Sequence, residues 1–279
     1  MTRLPGRRRR HVDAIVRMLA AVALTALFLF PIYWLAATSF KSADEIFSYP
    51  PKWWPRRISL DAYAVLFKDG DATTVWNSVV VAGASTVFAM LLGTMCAYSL
   101  ARFRTGGRHL PHWIISQRMM PRTAVVFPIF LLYVIFGWVD TYFGLVLLYT
   151  AFNLPYVIWV MRGYILDIPQ SLEESAQVDG CTHWEVLFKV VLPMTRAGLL
   201  ATAFLTFVFA WNEFLFALVL TRTEVTTYTV QVTHYFGGQS TFWAKISAMS
   251  VLGMTPIFIV VAFMQRYLVR GISLGAVKG

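Results

Sequence analysis

Six long apolar stretches, separated by short polar connections, dominate the pattern of hydrophobic and polar residues along this chain. Each stretch holds about 20 or more residues, enough for an α-helix to cross a hydrocarbon layer of about 30 Å. Backbone amides inside lipid must be paired within their own segment, so these stretches are predicted to be helices. The pattern predicts an all-α, polytopic membrane protein with six transmembrane helices, at Ile15–Ala37, Trp76–Ala101, Trp113–Phe136, Phe143–Arg162, Leu199–Thr221 and Ile246–Tyr267.

The third predicted span is the least regular of the six. Arg118 and Arg122 lie near its start, on either side of Pro121. We therefore expect this end to be broken, or to carry long basic side chains that reach toward the membrane surface. We favour surface anchoring for the two arginines and keep a gate-region ion pair as the alternative.

The composition agrees with a membrane protein, since 58% of the 279 residues are hydrophobic and 14% are charged. Soluble domains carry about 25% charged residues. The net charge of +10 would favour nucleic acid as the partner of a soluble protein, but basic residues of membrane proteins mainly set orientation. With the N-terminus inside, fifteen Lys and Arg fall in inner connections and six or seven in outer ones. The positive-inside rule thus predicts a multi-pass protein with both termini in the cytoplasm, and no nucleic-acid partner is expected.

This orientation divides the chain into a cytoplasmic N-terminus (1–14), a first helix (15–37), an external loop (38–75), a core transmembrane domain (76–267) and a cytoplasmic tail (268–279). A basic start before an apolar run also describes a signal peptide. Here the run is too long and no small-residue cleavage site follows it, so an uncleaved helix is predicted. The external loop contains Trp53 and Trp54, which either rest in the membrane interface or meet an external partner.

The longest inner connection, at about 167–198, is acidic in its first half. Ser171 is predicted to cap a helix whose first turn carries Glu173 and Glu174, which the helix dipole favours. Gly180 is predicted to end this helix, because glycine takes the left-handed backbone conformation without a steric cost.

A second short helix is predicted to follow, from about Thr182 to Val191, and to stop at Pro193. Its apolar residues recur at helical spacing: Trp184, Leu187, Phe188 and Val191. The alternative is an amphipathic hairpin that rests on lipid, but such a hairpin needs a polar face rich in Lys and Arg. The acidic residues of this connection favour a surface that docks a partner instead.

The same segment resembles the EAA loop of ATP-binding-cassette (ABC) importer permeases, whose pattern is E-A-A, three residues, G, nine residues, I, one residue and L-P. The matching positions are Glu174-Ser175-Ala176, Gly180, Val190 and Leu192-Pro193. Ser175 and Val190 depart from the pattern but keep the size of the residues they replace. Four more segments resemble the carbohydrate, MalG-like branch of this family: Gln117–Pro121, Phe152–Pro155, Ala210–Phe214 and Gly275–Gly279.

The resemblance implies the type I ABC importer permease fold and a permease subunit of an ATP-driven, binding-protein-dependent carbohydrate importer. It implies a second permease subunit, two ATP-binding subunits that hold ATP and Mg, and an external solute-binding protein as partners. A sugar, an oligosaccharide or a sugar alcohol is the implied substrate. The implied location is the bacterial or archaeal cytoplasmic membrane, whose lipids surround the chain.

The resemblance also implies roles for individual residues. Contact with the ATPase is expected from the EAA loop, at Glu173, Glu174, Ser175, Ala176, Asp179, Gly180, Trp184, Phe188, Val190, Leu192 and Pro193. A tail that reaches between the ATPase subunits is expected at Gly275, Ala276, Val277, Lys278 and Gly279.

Four residues inside predicted spans are candidates for the translocation pathway. Glu213 is expected to line a cavity or face a partner, because an unpaired carboxylate in lipid costs several kcal/mol. Asn212 fits the pathway and a structural hydrogen bond equally well, whereas a structural bond is favoured for Asn153. Trp211 could stack on a sugar ring, but packing in the core is the favoured role for a large aromatic residue.

The sequence contains no G-x-x-x-x-G-K-[ST] loop and no hydrolase motif, so we expect no enzymatic activity or cofactor in this chain. Cys96 and Cys181 form no CxxC pair, and His183 has no second ligand at metal spacing, so no metal site is predicted. The alternatives are an ion-gradient-driven secondary transporter, which would need inverted repeats and paired intramembrane carboxylates, and a membrane enzyme or scaffold.

Overall fold

The computed structural model describes residues 7–103, 105–236 and 241–275, with side chains for 13–103, 105–236 and 243–265. Every regular element in these ranges is helical. The α-helices are α1 (Arg7–Ser39), α2 (Ala43–Ile46), α3 (Asp61–Lys68), α4 (Thr73–Arg102), α5 (His109–Ser116), α6 (Arg122–Phe136), α7 (Tyr142–Leu166), α8 (Gln170–Val178), α9 (His183–Val186), α10 (Leu192–Met194), α11 (Arg196–Trp211), α12 (Leu215–Leu220), α13 (Tyr228–His234) and α14 (Thr241–Gly275). A 3₁₀ turn (Gln117–Met119) follows α5, and a π-helical turn (Leu187–Val191) joins α9 to α10.

Four helices within the described ranges are long and apolar enough to cross a membrane as single pieces: Asp13–Ser39, Thr73–Arg102, Tyr142–Leu166 and Trp243–Gln265. Two bent pairs meet the same test together, so the number is up to six if each bent pair is one span. One pair joins His109–Met119 to Arg122–Phe136 at 90°, and the other joins His183–Met194 to Arg196–Trp211 at 81°. The predicted all-α, six-span architecture is consistent with this count.

The boundaries of three predicted spans change. The third span is broken, as one of the two expectations for it allowed, because Met120 and Pro121 leave the helix in extended conformation. The fifth span was predicted as one helix to Thr221, but α11 ends at Trp211 and α12 begins at Leu215. The last helix continues to Gly275 instead of ending near residue 267.

The chain forms two compact units. The first comprises Met1–Gly70 and Tyr235–Leu252. In its described part, Trp53 packs against the rings of Phe30 and Trp34, and Trp54 stacks on Tyr33. The two tryptophans of the predicted external loop therefore fold back onto α1 within this unit.

The second unit comprises Asp71–His234 and Gly253–Gly279, and α4 against α7 is its central packing. Gly93 permits the close approach of the two helices, since a Cβ there would lie 2.6 Å from Val157 Cγ1. One buried cluster around Val157 and Ile165 continues into Val186 and Leu187. The core of the spans thus extends without a gap to the connection that follows α7.

Candidate coupling surface and transport pathway

The first helix of the connection, α8, starts earlier than the sequence predicts. Pro169 is its N-cap residue and Gln170 its first residue, with no side-chain hydrogen bond at the cap. The predicted cap at Ser171 is wrong, because Ser171 lies inside the first turn, where its carbonyl accepts a bond from the Ser175 hydroxyl. Proline is suited to a helix start, since it has no N–H to leave unpaired.

Gly180 ends α8 as predicted. Its φ is +92°, a conformation that glycine adopts without the cost borne by residues with a Cβ. The Gly180 N–H donates to Gln177 O, and the Cys181 N–H donates to Ala176 O. These two bonds form a Schellman motif, which pairs the last carbonyls of the helix and reverses the chain.

The second helix begins at a capping box. The Thr182 hydroxyl accepts from the Glu185 N–H, and the Glu185 carboxylate accepts from the Thr182 N–H. Glu185 also pairs with Lys189 at 2.8 Å. Hydrogen bonds from Lys189 and Thr182 lower the pKa of Glu185 to about 2, so this helix start stays charged at neutral pH. Helical turns run on to Met194, past the predicted stop at Pro193, because proline fits the first turn of α10.

The apolar residues of this second helix divide into a buried pair and an exposed pair. Leu187 is 2% exposed and Val191 is fully buried, and both belong to the core cluster that contains α7. Trp184 and Phe188 are 58% and 56% exposed in the described chain. One side of the helix is therefore anchored, and the other presents two large aromatic side chains. Exposed apolar patches mark contacts with a protein or with a membrane.

Two adjacent glutamates of α8 have opposite environments. Glu173 is 3% exposed, and its Oε1 accepts from Arg102 Nε at 2.6 Å. Glu174 is exposed. Of these two adjacent carboxylates, only that of Glu174 is exposed, whereas that of Glu173 is held inside the fold.

The remaining coupling candidates lie around this surface. Asp179 and Pro193 are exposed, whereas Ala176, Val190 and Leu192 are half-buried against the core cluster. Gly275 lies in α14, and Ala276, Val277, Lys278 and Gly279 lie outside the described residues. The roles of all these residues toward an ATPase stay predictions.

The two broken spans meet at an ion pair. Arg122 is the first residue of α6, Glu213 lies in the break between α11 and α12, and their side chains form a salt bridge. Glu213 is 6% exposed; its Oε1 accepts from the Phe216 N–H and its carbonyl from the Thr229 hydroxyl. Non-helical backbone inside a membrane occurs where it is buried in protein or lines a cavity.

Arg122 forms an ion pair, which is the alternative to the favoured surface anchoring, whereas the anchoring of Arg118 stays a prediction. The Arg118 guanidinium lies over the rings of Tyr156 and Phe209, at 5.0 and 4.5 Å from their centroids. Tyr156 lies within α7 and Phe209 near the C-terminal end of α11, so the Arg118 guanidinium packs against two helices. Arg118 Nη1 is buried without a hydrogen-bond partner in the described chain.

The other pathway candidates divide between packing and exposure. Trp211 is 2% exposed and stacks on Tyr228 and Phe207, so packing surrounds it. Asn153 is buried and donates to Tyr149 O within α7.

Asn212 is exposed beside the break, and its amide donates to Val208 O. Of these three, Asn212 alone has an exposed side chain.

Sequence reasoning missed three residues that set the local structure. Arg102 and Tyr98 hold Glu173, and Asp140 holds four consecutive backbone N–H groups, from Arg222 to Val225. A basic residue at the end of an apolar run signals only orientation, and an aspartate between two spans signals only a turn. No group of three metal-binding side chains occurs in the part of the chain that was described.

Comparison with known proteins identifies this architecture. A family model described as "Binding-protein-dependent transport system inner membrane component" matches residues 89–274, well over half of the chain. The chain belongs to this family. It is therefore a multi-pass permease subunit, as the EAA loop predicted. In this family of transporters the ATPase activity lies in separate subunits.

Two bacterial relatives match over nearly their whole lengths. The probable ABC transporter permease protein y4oR of Sinorhizobium fredii is 34% identical over 256 residues, which cover 91% of this chain and 92% of that protein. The diacetylchitobiose uptake system permease protein DasC of Streptomyces coelicolor is 33% identical over 263 residues, which cover 93% of this chain and 95% of that protein.

A solved structure shares the fold. It is a chain in the crystal structure of a bacterial ABC transporter involved in the import of the acidic polysaccharide alginate. The TM-score is 0.79 at 24% identity, over 95% of this chain and 99% of that chain. The ABC importer permease fold predicted from the EAA loop is confirmed.

Proposed function

We propose that this permease forms one half of the translocation pathway of an ATP-driven importer for a carbohydrate: a sugar, an oligosaccharide or a sugar alcohol. A second permease subunit forms the other half. Two ATPase subunits bind ATP and Mg, and an external solute-binding protein delivers the substrate. The names of relatives such as DasC support the carbohydrate class, because that protein takes up diacetylchitobiose.

The observation that carries the proposal is the two-sided connection after α7. Val186, Leu187 and Val191 anchor it in the core, while Trp184 and Phe188 are exposed beside the acidic end of α8. An amphipathic helix that lays apolar anchors into a groove of a partner is a common recognition mode. ATP-driven closure of the ATPases would push on this surface, and the spans behind it would then move.

The pathway is proposed to pass the junction of the two broken spans. Broken helices beside a polar cluster are where membrane transporters place their substrates. Asn212 is exposed there, and Arg118 has an unpaired donor. Arg122 neutralises Glu213, so this carboxylate is not a free proton or ion site of the kind a gradient-driven transporter needs.

The positive-inside rule supports an orientation that places α8 and α9 in the cytoplasm, where the ATPases are. Substrate then enters from the side of the first long loop. This orientation is part of the proposal, and labelling of single cysteines from either side of the membrane tests it.

Co-purification tests the proposal directly. The tagged chain is expressed with its genomic neighbours, and the ATPase that elutes with it is quantified for the wild type and for Trp184→Ala plus Phe188→Ala. We expect the double variant to insert normally but to lose most of the ATPase. Trp76→Ala is the control for loss of an exposed tryptophan, since Trp76 is 65% exposed on α4, and it should retain the ATPase. Carbohydrate uptake by cells that lack every candidate ATPase would contradict the proposal.

A further inference from the structure

A buried cluster at the end of α4 joins three segments of the chain. Arg102 is the last residue of α4. Its Nε donates to Glu173 Oε1 of α8 at 2.6 Å, and its Nη2 donates to the carbonyls of Ile165 and Ile168 at 2.7 and 3.0 Å. One guanidinium thus connects α4, the end of α7 and the helix that carries the EAA positions.

The carboxylate of Glu173 is held from both sides. Tyr98 lies one turn before Arg102 on α4, and its hydroxyl donates to Glu173 Oε2 at 3.2 Å. Both carboxylate oxygens therefore bind donors from the same helix. The side chains of Arg102 and Glu173 are 9% and 4% exposed, so water does not compete for these bonds. A charged pair in such surroundings is strong and fixes the geometry of its partners.

This arrangement differs from that of the neighbouring residues. Glu174 is exposed and free to meet a partner, and the Glu185–Lys189 pair on the second helix lies at the surface. The side chain of Glu173 points into the fold, where a docked subunit has no access to it. Its role must therefore act through other residues of this chain.

We propose that Glu173 and Arg102 are positioning residues. Their ion pair forms a rigid joint between α8 and the membrane-spanning helices α4 and α7. Any displacement of α8 is carried by this joint into α4 and the end of α7, which move with it as one body. Glu174 and the aromatic pair dock the ATPase, whereas the joint transmits the motion that docking causes. This inference rests on the proposed coupling of the chain to an ATPase.

A distance measurement tests the joint. Spin labels are attached at Ser171→Cys on α8 and Leu92→Cys on α4, both exposed, after Cys96 and Cys181 are replaced by serine. The complex with its ATPase is measured without nucleotide and after trapping with ATP and vanadate. With the joint intact, we expect the same distance in both states. In Glu173→Gln the distance should shift or broaden on trapping, while ATPase co-purification stays within about twofold of wild type, since docking and transmission are separate.

Two further variants test the joint if Glu173→Gln folds poorly. Tyr98→Phe removes one donor and should give a smaller shift of the same kind. Lys189→Gln removes the exposed pair on the second helix and should leave the distance unchanged between the two states. A distance in Glu173→Gln and Tyr98→Phe that is as constant as in the parent would overturn the joint, and so would a distance that changes equally in the parent. If no ATPase co-purifies even with the parent chain, the proposed function itself fails, and the joint with it.

Discussion

Gly180 is the residue at which the chain turns between α8 and α9. Its φ of +92° would strain a β-branched residue by about 1–3 kcal/mol, although a Cβ there would meet no atom of the described chain within 4 Å. The cost is therefore one of backbone conformation and not of space.

Gly180→Val should consequently leave the protein in the membrane but lower both ATPase association and uptake. Asparagine tolerates the left-handed region, so Gly180→Asn is the matched control and should keep most of both activities. Co-purification and uptake are measured in parallel for the two variants. Equal, full activity in Gly180→Val would mean that this turn does not matter for coupling.

Asp140 is a second residue that sets local structure, because its side-chain carboxylate accepts hydrogen bonds from backbone N–H groups. Burial alone would raise its pKa, but four N–H donors, from Arg222 to Val225, outweigh that effect, and the pKa lies below the usual 3.8. A carboxyl with a lowered pKa in the folded state stabilises the protein above its unfolded pKa, and this contribution is lost as the pH falls through the folded value.

We therefore expect the stability supplied by Asp140 to be constant at neutral pH and to disappear only below about pH 3.8. Asp140→Asn keeps the shape but removes the charge, and should cost about 1–3 kcal/mol at neutral pH because charged hydrogen bonds are lost. Thermal unfolding of wild type and variant in detergent across acidic pH gives the comparison. Equal melting temperatures at pH 7 would contradict the role of the carboxylate.

At the scale of elements, the Arg122–Glu213 pair fastens the break after α11 to the start of α6. The partners are unequally exposed, at 44% for the Arg122 side chain and 7% for that of Glu213. Losing one member of a fully buried pair costs about 3–5 kcal/mol, and an exposed pair contributes about 1 kcal/mol or less. The cost here should lie between these limits.

The unequal exposure of the two side chains predicts which of the two single variants is less stable. Arg122→Ala leaves a buried charge without a partner and should destabilise the chain more than Glu213→Gln, whose amide can still accept from the Phe216 N–H. Unfolding in detergent measures both. The double variant Arg122→Ala plus Glu213→Gln should also recover part of the stability that Arg122→Ala alone loses. The reverse order of stabilities, or simple additivity, would show that the pair does not hold the two broken spans together.

The whole molecule has one orientation in the membrane, which the charge distribution predicts. In a background without Cys96 and Cys181, a cysteine at Arg57 should react with an impermeant reagent added to intact cells. A cysteine at Ser171 on α8 should react only after the membrane is opened. Both original side chains are exposed, so access to the reagent depends on the side of the membrane. The opposite pattern would overturn the orientation and the proposed docking of α8 to a cytoplasmic ATPase.

Much of this architecture follows from the chain alone. The length of the apolar runs requires membrane helices, because lipid offers no partners for the backbone. Gly180 marks its turn because few residues accept positive φ, and the EAA spacing predicted the family that the match to residues 89–274 establishes. These are local properties, or patterns at fixed spacing, and the sequence is enough to read them.

Side-chain direction and long-range pairing are decided by the tertiary structure. Glu173 and Glu174 are adjacent and chemically alike, yet a rotation of about 100° per residue along a helix turns one toward Arg102 and the other outward. Which one faces inward depends on where α4 ends beside α8. Arg122 and Glu213 are 91 residues apart, and their pairing requires two breaks to coincide in space. No local pattern records such a coincidence, because it arises only when the helices pack.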